Sequence, residues 1–259
     1  MTALEGIGLQ VLGLPGLPLI KAGDDLASLI ASALERNGVQ PRAQDVLVVA
    51  QKIVSKAEAR AVDLAAVEPS AKARALAAEV GKDPRLVEVI LSETARVVRA
   101  RRGVLIVEHK LGFIMANAGV DQSNVGPHDG SAHVLLLPEN PDRSAEALRR
   151  GLKAATGIDI GVVINDSFGR PWRQGTAGVA IGVAGLPALV DLRGRPDLFG
   201  RKLEVSVIGF ADEIAAAASL AMGQADEALP AVLIRGLSWS APDSTAASIV
   251  RPPNEDLFR

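Results

Sequence analysis

Apolar residues recur at helical spacing over "GDDLASLIASALERNG" (23–38), where Leu26, Leu29, Ile30, Ala33 and Leu34 share one face. Asp24 or Asp25 offers the N-terminal cap and Gly38 the stop. The pattern then changes. "DVLVVAQKIV" (45–54) is nearly continuous and β-branched, which predicts a strand buried on both faces. Two helices are predicted next. "SAKARALAAEV" (70–80) stops at Gly81, and a second begins at Asp83-Pro84 with a stripe through Val87, Ile90, Leu91, Thr94 and Val98. "GVLIVEHKLGFIMANAGVD" (103–121) reads as two strands about a tight turn near Lys110–Gly112, followed by a strand in "SAHVLLLPE". Ser144 caps a helix over 144–157 that Gly157 closes, and "IGVVINDS" (160–167) is a buried strand ending in Asp and Ser. Beyond a Gly- and Arg-rich segment (168–186), a strand is predicted over 202–210, an Ala-rich helix over 211–223 and a last strand over 229–237. The polar, Pro-containing residues 238–259 read as a C-terminal surface extension.

Strands and helices interleave without regular βαβ spacing, so the expected class is α+β (mixed α/β), mixed sheets with flanking helices. Residues 1–237 are expected to form a single catalytic unit, with a possible smaller lobe at about 168–210. With 259 residues, 48% of them hydrophobic, the chain can bury a sizeable core. No run reaches the roughly 18 apolar residues of a membrane span. The apolar N-terminus carries Glu5 and no basic region, unlike a signal peptide, so a cytoplasmic location is expected. Lys+Arg (28) nearly balance Asp+Glu (30), which argues against nucleic acid as a partner. The absence of cysteine excludes disulfides, thiolate metal sites and a Cys nucleophile, leaving oxygen or imidazole to hold any metal.

That restriction directs attention to strand ends. In "NAGVDQSNV" (117–125), Asp121 and Asn124 follow an apolar run, and Asp166-Ser167 end another. Carboxylates held rigidly at strand ends suit a hard cation such as Mg²⁺ or Mn²⁺, and each also suits the capping of a turn. Lys52 and Lys56, four apart in "QKIVSKAEAR", can neutralise phosphates, or stand as a solvated pair. Arg170 and Arg173 flank Trp172 and can grip a carboxylate or phosphate, or stack on the indole. His128, Asp129 and His133 form a further candidate metal set, with loop capping as the alternative. The chain contains neither GxxxxGK[ST] nor a GxGxxG that opens a helix after a strand.

In order along the chain, "GLPLIKAGDDL", "DVLVVAQKIVSKAEAR", "NAGVDQSNV", "LLLPENPDRSA", "GVVINDSFGRPWRQGTAGVAIG", "DLFGRKLEVSVIGFADEIAAAASLAMGQ" and "LPAVLIRGL" resemble the coenzyme F420:L-glutamate ligases, the γ-glutamyl ligases. The resemblance covers almost the whole chain up to about Ser238. It implies a ligase in which the γ-phosphate of GTP activates the carboxylate of the F420 precursor (F420-0) and L-glutamate attacks the acyl phosphate. Further γ-linked glutamates follow. It also implies two divalent cations (Mg²⁺ or Mn²⁺), K⁺, a γ-glutamyl ligase-type fold and an intertwined homodimer.

Carried onto this sequence, the resemblance puts Leu17, Pro18, Leu19 and Ile20 at the guanine nucleotide, with Gln51, Lys52, Lys56 and Asn124 also on GTP. Met222, Gly223, Gln224, Ala225, Asp226, Glu227, Ala228 and Leu229 form another wall. Asp121 and Asp166 hold the first metal, Ser167 and Gln224 reach the second, and Asp121, Asp166 and Lys56 carry the chemistry. Ser167 stands where the family pattern has Thr, which keeps the hydroxyl, and "MGQADEALP" is less Gly-rich than that pattern. Shielding an acyl phosphate from water calls for a closing segment, for which 168–178 is the candidate. Arg170 or Arg173 is a candidate for the precursor's phosphodiester or for glutamate. Two other readings compete: a non-catalytic nucleotide- or cofactor-binding subunit, and a metal-dependent hydrolase built on His128, Asp129 and His133.

Overall fold

A computed structural model of the protein describes residues 8–125 and 132–256. It is a mixed α+β fold with one five-stranded sheet and three smaller ones. The central sheet contains β1 (Gln10–Gly13), β2 (Val46–Ala50), β8 (Gly161–Arg170), β9 (Arg173–Ala184) and β12 (Ala231–Arg235). Their order is β1-β12-β2-β8-β9, with β2 and β8 parallel and the other neighbours antiparallel. Val46 to Val49 and Val162 to Ile164 are buried, as runs covered on both faces must be.

One face is covered by α1 (Leu26–Arg36), α2 (Gln51–Ala57) and α5 (Pro141–Thr156), through Ile30, Leu34, Ile53, Leu148 and Leu152. The other is covered by α6 (Phe210–Met222), through Ala211, Ile214, Ala215 and Ala218. Asp25 caps α1, its side chain accepting from the amides of Ala27 and Ser28. A second buried cluster joins α3 (Ala71–Val80) and α4 (Pro84–Ser92) to strands of residues 94–116. Those strands form a three-stranded sheet: β4 (Thr94–Arg101), β5 (Val104–His109) and β6 (Ile114–Ala116). β3 (Ala61–Asp63) and β7 (His133–Leu135) pair beside it.

Several boundaries differ from those expected. The strand at 45–54 ends at Ala50, and α2 begins at once. A continuous apolar run fits strand and helix alike, and no Gly or Pro marks the change. α4 ends at Ser92, well before Val98 at the end of the expected stripe: Thr94 bonds its hydroxyl to the Ile90 carbonyl (2.6 Å), and the chain continues as β4. The helix expected from Ser144 starts at Pro141 under Asn140, whose side chain accepts from the Arg143 amide (3.0 Å). The strand expected at 202–210 is broken: β11 (Val207–Ile208) pairs with β10 (Val190–Asp191), and Lys202 makes an isolated bridge to Pro196.

Within 168–210, residues up to Ala184 belong to the central sheet, and 190–208 then form an exposed antiparallel arm. Leu198 and Phe199 at its tip are 99% and 96% exposed. Residues 168–178, considered as a closing loop, are mostly the β8–β9 hairpin. The C-terminal segment is tied down at a point that its composition hides. The Asp142 carboxylate accepts from the amides of Val183 (2.8 Å), Ala246 (2.8 Å) and Ala247 (3.3 Å), and Ala246 is fully buried. No helix among the described residues is long and apolar enough to cross a membrane.

This topology brings distant segments to one sheet edge. β2 and β8 run parallel and their pairing stops at Ala50 and Asn165, where β2 gives way to α2 and β8 continues through Asp166 and Ser167 to Arg170. β12 is antiparallel to β2 with Ala231 opposite Val49, so residues 222–230 arrive at the same edge. β1 leaves there too, its exit held where the Leu14 amide meets the Ala231 carbonyl (2.9 Å).

Candidate active site

The fifth segment at this edge comes from the second cluster. After β6, Asn117 and Ala118 adopt left-handed backbone (φ 53° each) and turn the chain away from its strand. Gly119 follows where a Cβ would stand 2.8 Å from Leu137 and Met115, so the turn packs only around glycine. Asp121 is then fixed by two backbone bonds to Leu135, of 3.0 and 2.8 Å. The "NAGVD" stretch is therefore a rigid mount that aims one carboxylate at α2.

In α2, Lys52 and Lys56 lie one turn apart on one side. The Lys52 ammonium pairs with the Asp121 carboxylate (2.8 Å) and donates to the Ser123 hydroxyl (2.7 Å) and carbonyl (3.2 Å). Ser123 in turn donates to Asp121 from its amide (2.7 Å) and its hydroxyl (2.8 Å). Lys56 donates to the Asn124 carbonyl (2.7 Å), and the Asn124 side-chain amide donates to the Ala225 carbonyl (3.1 Å). On β8, Asp166 accepts from the Ser167 amide (2.8 Å), and the Ser167 hydroxyl donates to the Gln224 side-chain oxygen (2.7 Å). Residues 52, 56, 121, 124, 166, 167, 224 and 225 thus form one connected set.

The electrostatics follow from this packing. Burial pushes the Asp166 carboxyl up to about 7, and the charge of Asp121 pushes the same way. At Asp121 burial also pushes upward, but Lys52 and the Ser123 bonds outweigh it and hold the group below the usual carboxylate range. Burial, then repulsion from Lys52, lowers Lys56. Two carboxylates that resist joint ionisation, with an ammonium already drawn to one of them, form a site that attracts cations. Ser167 and Gln224 add neutral oxygens beside it. No group of three or more His, Cys, Asp or Glu that could hold a metal occurs among the described residues. The donors at this edge are two carboxylates with the neutral oxygens of Ser167 and Gln224, a hard oxygen set. It fits Mg²⁺ or Mn²⁺, which take one or two carboxylates and leave positions for phosphate oxygens.

The remaining candidates are placed as follows. Leu17 packs on the core and Ile20 is buried, while Leu19 is 88% exposed and Pro18 is also exposed. Gln51 is buried and accepts from the Ser55 hydroxyl (2.8 Å). After α6, Gly223 and Ala228 take positive φ, and the Glu227 carboxylate folds back onto the Ala225 amide (2.8 Å). Met222 is buried, and Asp226 is exposed in the same loop, which Leu229 closes. His128 and Asp129 lie outside the described residues, and His133 sits in β7 opposite Asp63.

The family model for F420-0:Gamma-glutamyl ligase matches residues 16–236. The chain belongs to the F420-0:γ-glutamyl ligase family. A Methanothermobacter thermautotrophicus protein named coenzyme F420:L-glutamate ligase is 47% identical over 98% of this chain and 100% of its own length. Proteins of the same name from Methanopyrus kandleri (46%; 97% and 99%) and Archaeoglobus fulgidus (44%; 96% of each) are similar throughout.

This γ-glutamyl ligase family member carries one further residue beside the site, Asn165, that its local sequence does not mark as functional. Asn165 is a buried amide in an otherwise apolar strand, donating to the Ser219 hydroxyl (3.1 Å) and contacting the Met222 sulfur (3.5 Å). It links the strand bearing Asp166 to the end of α6. A Cβ at Gly178, which lies opposite Ser167 of β8, would stand 2.1 Å from the Ser219 hydroxyl and 2.7 Å from the Asn165 side-chain oxygen, so this crossing requires glycine. A lone polar residue inside "GVVIND" was the available signal.

Proposed function

We propose that the protein is a GTP-dependent ligase that joins L-glutamate to the F420-0 precursor and then adds further γ-linked glutamates. The observation that carries this reading is the Asp121–Asp166 carboxylate pair at one sheet edge, beneath Lys52 and Lys56. It suits phosphoryl transfer, where catalysis consists of positioning and charge neutralisation and needs no protein nucleophile. Family membership directs that chemistry to the precursor and glutamate.

In the proposed reaction the precursor carboxylate attacks the γ-phosphorus of GTP and GDP leaves with the bonding electrons. The amine of glutamate then attacks the acyl carbon, phosphate departs, and the amine loses a proton. Asp121 and Asp166, with Ser167 and Gln224, would hold two Mg²⁺ or Mn²⁺ ions, whose contribution is to neutralise phosphoryl oxygens. Lys52 and Lys56 present positive charge from α2 to the same oxygens. Asn124, Gln51, residues 17–20 and residues 222–229 border the space for the nucleotide. K⁺ as an assisting ion comes from the resemblance.

Mass spectrometry of products formed from precursor, glutamate and GTP tests the reading. We expect products heavier by one or more glutamyl groups, with GDP and phosphate release that requires both acceptor and glutamate. GDP release without any glutamyl product would overturn it.

A homodimer completes the proposal. Its support is the arm of 190–208, which carries Leu198 and Phe199 into solvent where an isolated chain gains nothing from them. Light scattering is expected to give twice the chain mass, and Leu198→Ser with Phe199→Ser to halve it. A double variant that stays dimeric would remove the arm from the interface.

A further inference from the structure

Cations at the active edge are mostly spent on protein oxygens. Lys52 is committed to Asp121 and Ser123, and Lys56 to Asn124. Arg170 differs. Among the described residues its Nη1 is buried without a hydrogen-bond partner, and its Nη2 lies 3.5 Å from the Gln174 carbonyl, at the limit of a bond. A buried guanidinium N–H left unpaired is costly, and such a cost persists where a ligand removes it.

Position makes Arg170 more than an orphan. The two-residue spacing along β8 puts Asp166, Phe168 and Arg170 on one face, the register shift between Gly169 and Arg170 being taken up by the extra residues Gln174 and Gly175 of β9. At about 3.3 Å per residue, Arg170 starts roughly 13 Å from Asp166, on the same side as the carboxylate pair. Phe168 fills the interval and packs edge-on against Phe113 (centroids 5.9 Å apart), which fixes the strand between them. Arg173 lies opposite Arg170 across the hairpin and is exposed, as is Trp172 (89%) at its tip. Arg170 is therefore the inner of the two guanidiniums.

We propose that Arg170 is the seat for a carboxylate of the incoming L-glutamate, a specificity-determining contact of the ligation described above. The proposal rests on that reading. Glutamate brings two carboxylates besides its reacting amine, and selecting it over other amino acids requires a cation not already neutralised. The planar fork of arginine matches a carboxylate in two parallel hydrogen bonds, and a part-buried fork favours a small planar anion. A phosphodiester carries the same kind of charge and is the other anion within reach, so the test separates the two.

Steady-state kinetics of Arg170→Ala and Arg170→Lys, with GTP, precursor and glutamate varied in turn, decides the matter. For Arg170→Ala we expect KM for glutamate to rise roughly 10- to 100-fold with KM for GTP unchanged, and Arg170→Lys to recover part of the loss. A KM for glutamate within about twofold of wild type, or an increase confined to the precursor, overturns the proposal. Should Arg170→Ala show no turnover, equilibrium binding of radiolabelled glutamate in the presence of GDP replaces kinetics. Lost glutamate binding with GDP binding intact then supports the assignment, and retained glutamate binding overturns it. Failure of the wild-type protein to form any glutamyl product is a separate result that removes the parent reading.

Discussion

Asp166→Asn is expected to lower glutamyl transfer by roughly 10³-fold or more while leaving the metal-free protein at least as stable as wild type at pH 8. Asparagine keeps the shape of the side chain and its bond to the Ser167 amide but removes the charge that would hold a divalent ion. The stability half follows from the proton. Burial first, and Asp121 second, raise the Asp166 carboxyl from 3.8 to about 7, so the folded state binds that proton more tightly than the unfolded chain. The stability this group confers is complete below about pH 4 and is lost as pH rises through 7. With the metal removed by chelation, wild type should lose on the order of 2–4 kcal/mol from this group between pH 4 and pH 8. The Asn variant, neutral throughout, should lack that part of the pH dependence. Thermal unfolding with chelator at several pH values, set beside turnover with Mg²⁺ or Mn²⁺, reads both halves. Turnover within tenfold of wild type would remove Asp166 from the machinery. A variant markedly less stable at pH 8 would mean that the carboxylate supports the fold.

The same strand shows what the sequence could and could not reveal. Periodicity with a cap was enough for α1, because Asp25, the Ile30–Leu34 stripe and Gly38 are all local signals. It found the strand that carries Asp166 and Ser167 but not where it ends: "IGVVIN" reads as a buried strand, and β8 runs on past both residues to Arg170. It failed at α2, where "VLVVAQKIV" stays apolar through the change from strand to helix. That error touches function, because a helix brings Lys52 and Lys56 within one turn, while a strand would hold them about 13 Å apart. The pairing of Lys52 with Asp121 spans the two buried clusters, and no local pattern encodes it. Family resemblance named both residues, but their direct contact is a property of the fold. The Asp142 tie to Ala246 was hidden for the same reason, as its partners are 104 residues apart. Composition therefore described the C-terminal segment as an extension, whereas backbone amides bind it to the start of α5.

Asp45→Ala is expected to cost about 3–5 kcal/mol of stability, enough to unfold much of a domain with an ordinary margin of 5–15 kcal/mol. Asp45 precedes β2 and is 1% exposed. Its carboxylate accepts from Arg235 at Nε (3.0 Å) and Nη2 (2.7 Å) and from the Arg42 amide (2.8 Å). Arg235 ends β12 and also donates to the Gln40 carbonyl (2.7 Å), so the pair locks β12 to the entry of β2. Removing the acid strands a guanidinium whose side chain is 15% exposed, and that uncompensated charge dominates the loss. Asp45→Ala combined with Arg235→Leu should be less damaging than the two single changes added together, because no lone charge remains buried. Chemical denaturation of the four proteins measures that difference. A loss below about 1 kcal/mol in Asp45→Ala would show that water reaches Arg235 and that the pair is not a lock. The position also makes a statement about function. β2 runs from this pair toward Lys52, so the lock sits at the end of the strand away from the carboxylates. Asp45→Ala protein that remains folded at low temperature should keep wild-type KM values, separating the anchoring of the sheet from the chemistry at its opposite edge.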